Sequence, residues 1–351
     1  MIVSPPRRLR VLLNPGSGSK GGLSTNDIGD AEVRAAMTRA GLDDELHLTD
    51  SEDDAVRLTR EAADAGYDVV VAAGGDGTVG TIARELLGRD TALGVLPLGS
   101  VMNIGRMLEL PRELDAAAAV IATGQVRAID VGTAKGKIFF EGGSVGLNAA
   151  VFKEAQAVDA GHYAALFSAL WTLLRYRPSR MIIHLDDRVL TTRALAVTVA
   201  NGPYTGLGFT VAPNARLDDG KFDVRVFSRF SRTELIRHFR SIAFGRRQFS
   251  PKVHSYRSAR VQIEGVRPLP CRADAEDLGT TPVTYHVKPG VLKVVTPATA
   301  AQASFSPAHG ASGADFEDDA APDLLARAAI GVAIAAGLVL AGLVLRSRRR
   351  R

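Results

Sequence analysis

Apolar positions along the first third of the chain fall into short continuous runs separated by helical patterns. Residues 8–14 (RLRVLLN) have strand length and end in Pro15-Gly16-Ser17-Gly18. A helix is expected over residues 30–40 with Gly41 as its stop, and a second strand over residues 45–49. Ser51 and Asp54 have the spacing of a capping box, opening a helix that Gly66 closes. The run YDVVVAA at residues 67–73 lacks the polar alternation of a half-exposed strand, so it reads as a parallel strand covered on both faces. Residues 74–78 (GGDGT) then turn the chain into a helix expected over 79–87, and residues 93–98 form a fourth strand. Strand and helix alternate in this way to about residue 125, which argues for an open, mostly parallel α/β sheet.

From residue 127 onward the pattern changes. Strand-like runs at 194–200, 222–227, 259–263, 283–287 and 291–295 are separated by Gly, Pro, Asn and Asp, as in a β-rich domain. One helical stretch interrupts them, YAALFSALWTLLRY at 163–176, which carries the only Trp. An acidic, small-residue linker follows, and residues 328–345 are then 18 consecutive positions without a polar or charged side chain. A helix crossing hydrocarbon needs about 20. The expected organisation is therefore an α/β domain at 1–126, a β-rich domain at 127–298, a linker at 299–323, a transmembrane helix at 324–346 and a basic tail at 347–351. With no apolar segment of signal-peptide type at the start, the expected placement is a single C-terminal pass in the cell membrane with the folded part cytoplasmic.

Composition narrows the chemistry. A single cysteine, Cys271, excludes an internal disulfide framework and a Cys-based zinc site, and the seven His show no ligand spacing. The net charge of +5 would point to nucleic acid, but five of the last six residues are Arg and account for the whole excess. No nucleic-acid partner is expected.

Gly-rich turns at the carboxyl ends of strands place backbone N–H groups and helix N-termini around one crevice, which is the requirement for holding phosphates. Three occur: residues 14–18, 74–78 and 97–103. The first contains the spacing of a dinucleotide loop, a weak signal alone. The second carries Asp76, and a carboxylate in a phosphate loop repels its ligand unless it serves a metal or a proton transfer, or else caps the helix beginning near Thr78.

Together these segments resemble the diacylglycerol kinase catalytic-domain family, which includes bacterial lipid kinases and sphingosine kinases. The resemblance covers approximately residues 9–297 and rests on NPGSG at 14–18, AAGGDGTVG at 72–80, LPLGSVMNIGR at 96–106, GGSVGLNAAV at 142–151, the segment 200–224, and CRADAEDLG at 271–279. It implies ATP and Mg²⁺ as cofactors, and a β-sandwich as the second domain, with its last strands returning toward the first. Asn14, Gly16, Ser17, Gly18, Gly74, Gly75, Asp76, Gly77, Thr78, Ser100 and Asn103 would surround the nucleotide. Asp274 and Glu276 match an Asp-Gly-Glu motif in which the Asp is a candidate general base, a role that Asp76 can also fill. Asp218 and Asp219 resemble a metal-binding loop, although Asp-Gly is equally a turn signal.

Two positions depart from the pattern: Met102-Asn103 stands where Asn-Asp is usual, and Ala275 replaces the Gly between the acids, a strained choice if that position needs positive φ. Leu166, Leu170 and Trp171 are candidates for an acyl-chain wall, and the Arg- and Phe-rich stretch 225–260 for a surface resting on anionic lipid. The resulting expectation is a lipid kinase that transfers the γ-phosphoryl group of ATP to a hydroxyl of diacylglycerol or a sphingoid-like lipid, with a homodimer possible. The alternatives are a soluble-metabolite kinase of the NAD kinase type and a membrane-tethered non-catalytic binding protein.

Overall fold

The computed structural model of the chain describes residues 7–16, 19–20, 23–24, 28–42, 45–151, 176–206, 208–228, 234 and 252–298. Its first layer is a parallel sheet. Strand β1 (Leu9–Leu13) lies between β2 (Glu45–Leu48) and β3 (Val69–Gly74), and β3 pairs with β4 (Ala92–Pro97). Every residue of β3 and β4 is buried. The reason is coverage on both faces. Leu12, Val70 and Leu93 pack with Leu58 of helix α2 (Glu52–Asp64) and Ile82 of α3 (Asp76–Glu85) on one side. The alternate residues Val11, Val71 and Leu96 meet Met37 of α1 (Asp30–Arg39) and Ile121 of α5 (Leu114–Thr123) on the other. Ser51 caps α2 as expected, its hydroxyl accepting from the Asp54 N–H at 3.2 Å. The short helix α4 (Asn103–Met107) follows β4.

The second layer is antiparallel. Strands β5 (Gln125–Ala134) and β6 (Lys137–Phe139) form a hairpin, followed by β7 (Gly142–Gly146). Then come β8 (Ser179–His184), β9 (Val189–Ala200), β10 (Phe222–Ser228), β11 (Val253–Ser258), β12 (Arg260–Gly265), β13 (Pro270–Ala273), β14 (Glu276–Thr280) and β15 (Val283–Thr296). Their inner faces enclose Phe139, Val197, Phe222, Ile263 and Tyr285. The Phe139 ring stacks on Phe222 with centroids 5.6 Å apart and meets Tyr285 edge-on.

Strand β15 joins the layers. Its first half pairs with β12 in the sandwich, and near its end Val294 lies parallel to Leu93 of β4. The sequence pattern had separated this strand into two runs, because Lys288-Pro289-Gly290 reads as a turn. Those residues instead form an irregularity within one strand, with Gly290 at φ 61° and the register with β5 shifting between Lys288 and Leu292. Asp130 holds this place, accepting from the Gly290 N–H at 2.9 Å and the Gly220 N–H at 2.6 Å.

One expectation is overturned. No helix among the described residues is long and apolar enough to cross a membrane. The longest, α2, has 13 residues and rises about 20 Å, against a hydrocarbon layer of about 30 Å. Residues 324–346, on which the transmembrane helix was expected, lie outside the described residues, so neither that helix nor the single-pass cell-membrane placement has a described helix behind it.

Candidate active site

The three Gly-rich turns converge at the carboxyl ends of β1, β3 and β4. Asn14 follows β1 and ties the first turn to the second, its amide donating to Thr78 Oγ1 at 3.0 Å while its Oδ1 accepts from the Gly16 N–H at 2.9 Å. Ser17 and Gly18 lie outside the described residues. The second and third turns touch through glycine: a Cβ on Gly99 would stand 2.7 Å from the Gly75 Cα, so no side chain fits between them. Helix α3 begins at Asp76, three residues earlier than the sequence pattern indicated. Gly75 is its N-cap and supplies no side-chain acceptor, leaving the first-turn N–H groups open toward the crevice. Ser100 is partly exposed on the third turn, and its carbonyl accepts from Arg112 at 3.1 Å.

Asp76 does cap a helix, but not its own. Its two carboxylate oxygens accept from the Asn103 and Ile104 N–H groups at 3.1 and 3.0 Å, fixing the start of α4. Asn103 is 1% exposed and donates from Nδ2 to the Gly206 carbonyl at 2.7 Å, while its Oδ1 is buried without a partner. Residues 204–206 and 208 are thereby fastened over α4. Arg106 adds a bond to the Gly208 carbonyl at 3.1 Å and lies 4.0 Å above the Tyr204 ring. Met102 occupies the left-handed region (φ 54°) and its side chain is buried in the α/β core with Ile104, Met107 and Leu108, its sulfur packed beside Gly99 of the third turn.

The opposite wall comes from the sandwich. Asp274 has both oxygens engaged: Oδ2 accepts from Phe140 N–H at 2.7 Å, and Oδ1 from Glu141 and Gly142 N–H at 3.0 and 2.9 Å. Burial raises its proton affinity against the pull of these three bonds. Its own φ is 44°, so the positive-φ position of the motif is Asp274, not Ala275. Arg272 is held beside it, donating to the Asp274 carbonyl at 2.6 Å and to Ser144 Oγ at 3.0 Å. Glu276 points elsewhere and pairs with Lys137 at 3.3 Å, both half-exposed.

The Asp274 clamp holds a residue that the sequence pattern did not single out. Glu141 lies in the turn between β6 and β7, partly exposed. Its Oε2 accepts from the Gly206 N–H at 2.9 Å. Burial first, then the nearby Asp274 and Asp76 charges, push its carboxyl up to about 8, with Asn103 and Gly206 opposing as hydrogen-bond partners. The signal available in the sequence was an isolated acid between an apolar strand and a Gly-Gly pair, FFEGG.

Asp218 and Asp219 meet cations rather than each other: Asp218 pairs with Arg127 at 2.9 Å and Arg216 at 3.2 Å, and Asp219 with Arg257. Among the described residues no group of three or more His, Cys, Asp or Glu is placed to hold a metal ion. Leu166, Leu170 and Trp171 lie outside the described residues, as do positions 229–233 and 235–251 of the basic stretch.

An α/β layer with Gly-rich turns thus faces acids held by a β-sandwich, in a two-domain arrangement. The family description "Diacylglycerol kinase catalytic domain" matches residues 8–134, and "YegS C-terminal NAD kinase beta sandwich-like domain" matches residues 143–296. A Pseudomonas aeruginosa protein named "Probable lipid kinase YegS-like" is 30% identical over 278 residues, covering 77% of this chain and 91% of its own. A Staphylococcus saprophyticus protein named "Diacylglycerol kinase" is 25% identical, covering 83% and 96%. The chain belongs to the diacylglycerol kinase catalytic-domain family, and it is a kinase. The same fold occurs in a crystal structure described as a diacylglycerol kinase from Bacillus anthracis str. Sterne, which superposes with a TM-score of 0.65 at 20% identity over 85% of this chain and 99% of that one.

Proposed function

We propose that this kinase transfers the γ-phosphoryl group of ATP to a hydroxyl of a membrane lipid, diacylglycerol or a sphingoid-like base, in the crevice between the layers. The carrying observation is the glycine contact between residues 75 and 99 beside the open first turn of α3. A side chain on Gly99 would force the two turns apart beside the helix start where an anion can reach backbone N–H groups, and such a cradle suits a polyphosphate. Asn14 and Thr78 would fix the turns around it.

Mg²⁺ fits as an ion carried on the nucleotide phosphates with its own waters, where it would neutralise charge developing in the transfer, because the described residues offer no acidic cage of their own. The chain's residues supply position. Asp76 holds α4 and Asp274 holds residues 140–142, so the two walls face each other at a set distance.

The sandwich description naming NAD kinase motivates a second reading, with a soluble nucleotide as acceptor. The purified protein with γ-labelled ATP and Mg²⁺ is offered vesicles containing diacylglycerol, vesicles containing a sphingoid base, or NAD. Label in a lipid product, identified by mass, is the expected result. Label in NADP and in no lipid would replace this reading by the second.

A further inference from the structure

Three carboxyl groups lie within charge range of one another where α4, Gly206 and the β6–β7 turn come together, and their surroundings differ. Asp76 has one backbone N–H on each oxygen. Asp274 has three on its two oxygens. A proton arriving on either would displace a backbone bond that fixes a wall of the crevice, at the cost of an unsatisfied buried donor. Glu141 differs: Gly206 N–H meets Oε2, and among the described residues no backbone donor meets its other oxygen. Its other partner is the Asn103 side chain, a hydrogen bond that favours the charged carboxyl and that an arriving proton can displace without freeing a backbone donor. Glu141 is also partly exposed, as a group that touches substrate must be.

Resting on the reading above, we propose that Glu141 is the proton acceptor for the lipid hydroxyl, with Asp76 and Asp274 acting as positioning residues. In this step the hydroxyl oxygen bonds to the γ-phosphorus of ATP. The bond from that phosphorus to the β–γ bridging oxygen breaks, with its electron pair leaving on ADP, and the hydroxyl proton passes to the Glu141 carboxylate and then to solvent.

The groups facing Glu141 favour this. Burial disfavours its charge and Asp274 from the β13 end and Asp76 from α3 repel it, while the buried Arg272 attracts both Asp274 and Glu141. A carboxyl held at about 8 is matched to accept a proton near neutral pH, whereas an ordinary one is a weak base there.

The test measures kcat for phosphorylation of diacylglycerol in vesicles against pH, together with ATP affinity. For the wild type, kcat should rise with pH through about 8. In Glu141→Gln, which keeps an acceptor for the Gly206 N–H, kcat should fall roughly 10²-fold or more with ATP affinity unchanged, and the limb should vanish. Glu141→Asp should regain part of the rate and keep a limb. A Gln variant within twofold of wild-type kcat and with the same limb overturns the assignment. So does a wild-type profile without the limb, a result that needs no variant to fold. A wild type that phosphorylates no lipid at any pH fails the proposed function itself, a distinct outcome.

Discussion

Asp274 and Asp76 each bond backbone N–H groups with both oxygens, so replacing either with Asn removes an acceptor where a donor cannot serve. Asp274→Asn is the cleaner case, because Asn tolerates the left-handed backbone that Asp274 adopts at φ 44°. The expected loss is about 1–3 kcal/mol in denaturant unfolding, together with lower turnover. At Met102, the Asn of the family pattern would exchange a buried thioether for an amide in an apolar core. Met102→Asn should destabilise by about 2–5 kcal/mol, without tighter ATP binding by calorimetry.

Glu141 gives a pH signature in stability. In the unfolded chain it loses its proton near 4.5, in the folded one near 8, so folding is favoured below the first value and that advantage drains away as pH rises through the second. Glu141→Gln should have a Tm close to wild type at pH 4–5 and progressively higher than wild type toward pH 8. Equal pH dependence in both proteins would contradict the burial of this carboxyl. Much of the site was legible as motifs, since a Gly-rich turn leaves its mark in consecutive residues. The role of Asp76 was not, because its partners lie 27 and 28 residues away. Glu141 escaped for the same reason: its environment is built from residues at 76, 103, 206 and 274, and nothing local in FFEGG announces it.

Among elements, the contact between the turn before α3 and the turn after β4 is the most sensitive. A Cβ at Gly99 would meet backbone at 2.7 Å, and backbone cannot rotate away as a side chain can. Gly99→Ala should separate the turns, weaken ATP binding measurably by calorimetry, and cost about 1–3 kcal/mol in stability. Unchanged affinity would remove the nucleotide from this crevice. The central strands were readable because burial on both faces leaves a continuous apolar run, as in β3. Strand β15 was not, since Pro289 and Gly290 carry a turn signal that the Asp130 carboxylate and the β5 ladder override. The early start of α3 at Asp76 was likewise hidden, because Gly75 and Gly77 look like loop until the helix is seen.

Across the whole molecule, the two layers share β5 and β15, which run side by side from the sandwich into the α/β sheet. Unfolding one layer would break the ladder of the other, so denaturant transitions followed by near-ultraviolet tyrosine dichroism and by far-ultraviolet dichroism should coincide. Separate midpoints would mean that the layers unfold independently. The same continuity sets the Asp274 wall against the Asp76 wall, and the central claim is that lipid phosphorylation occurs between them. The most direct measurement is a single turnover with enzyme in excess over γ-labelled ATP, in the presence of Mg²⁺ and diacylglycerol vesicles. Label should enter the lipid phase at the rate that ADP appears; label released as inorganic phosphate, or retained on ATP, would contradict the account.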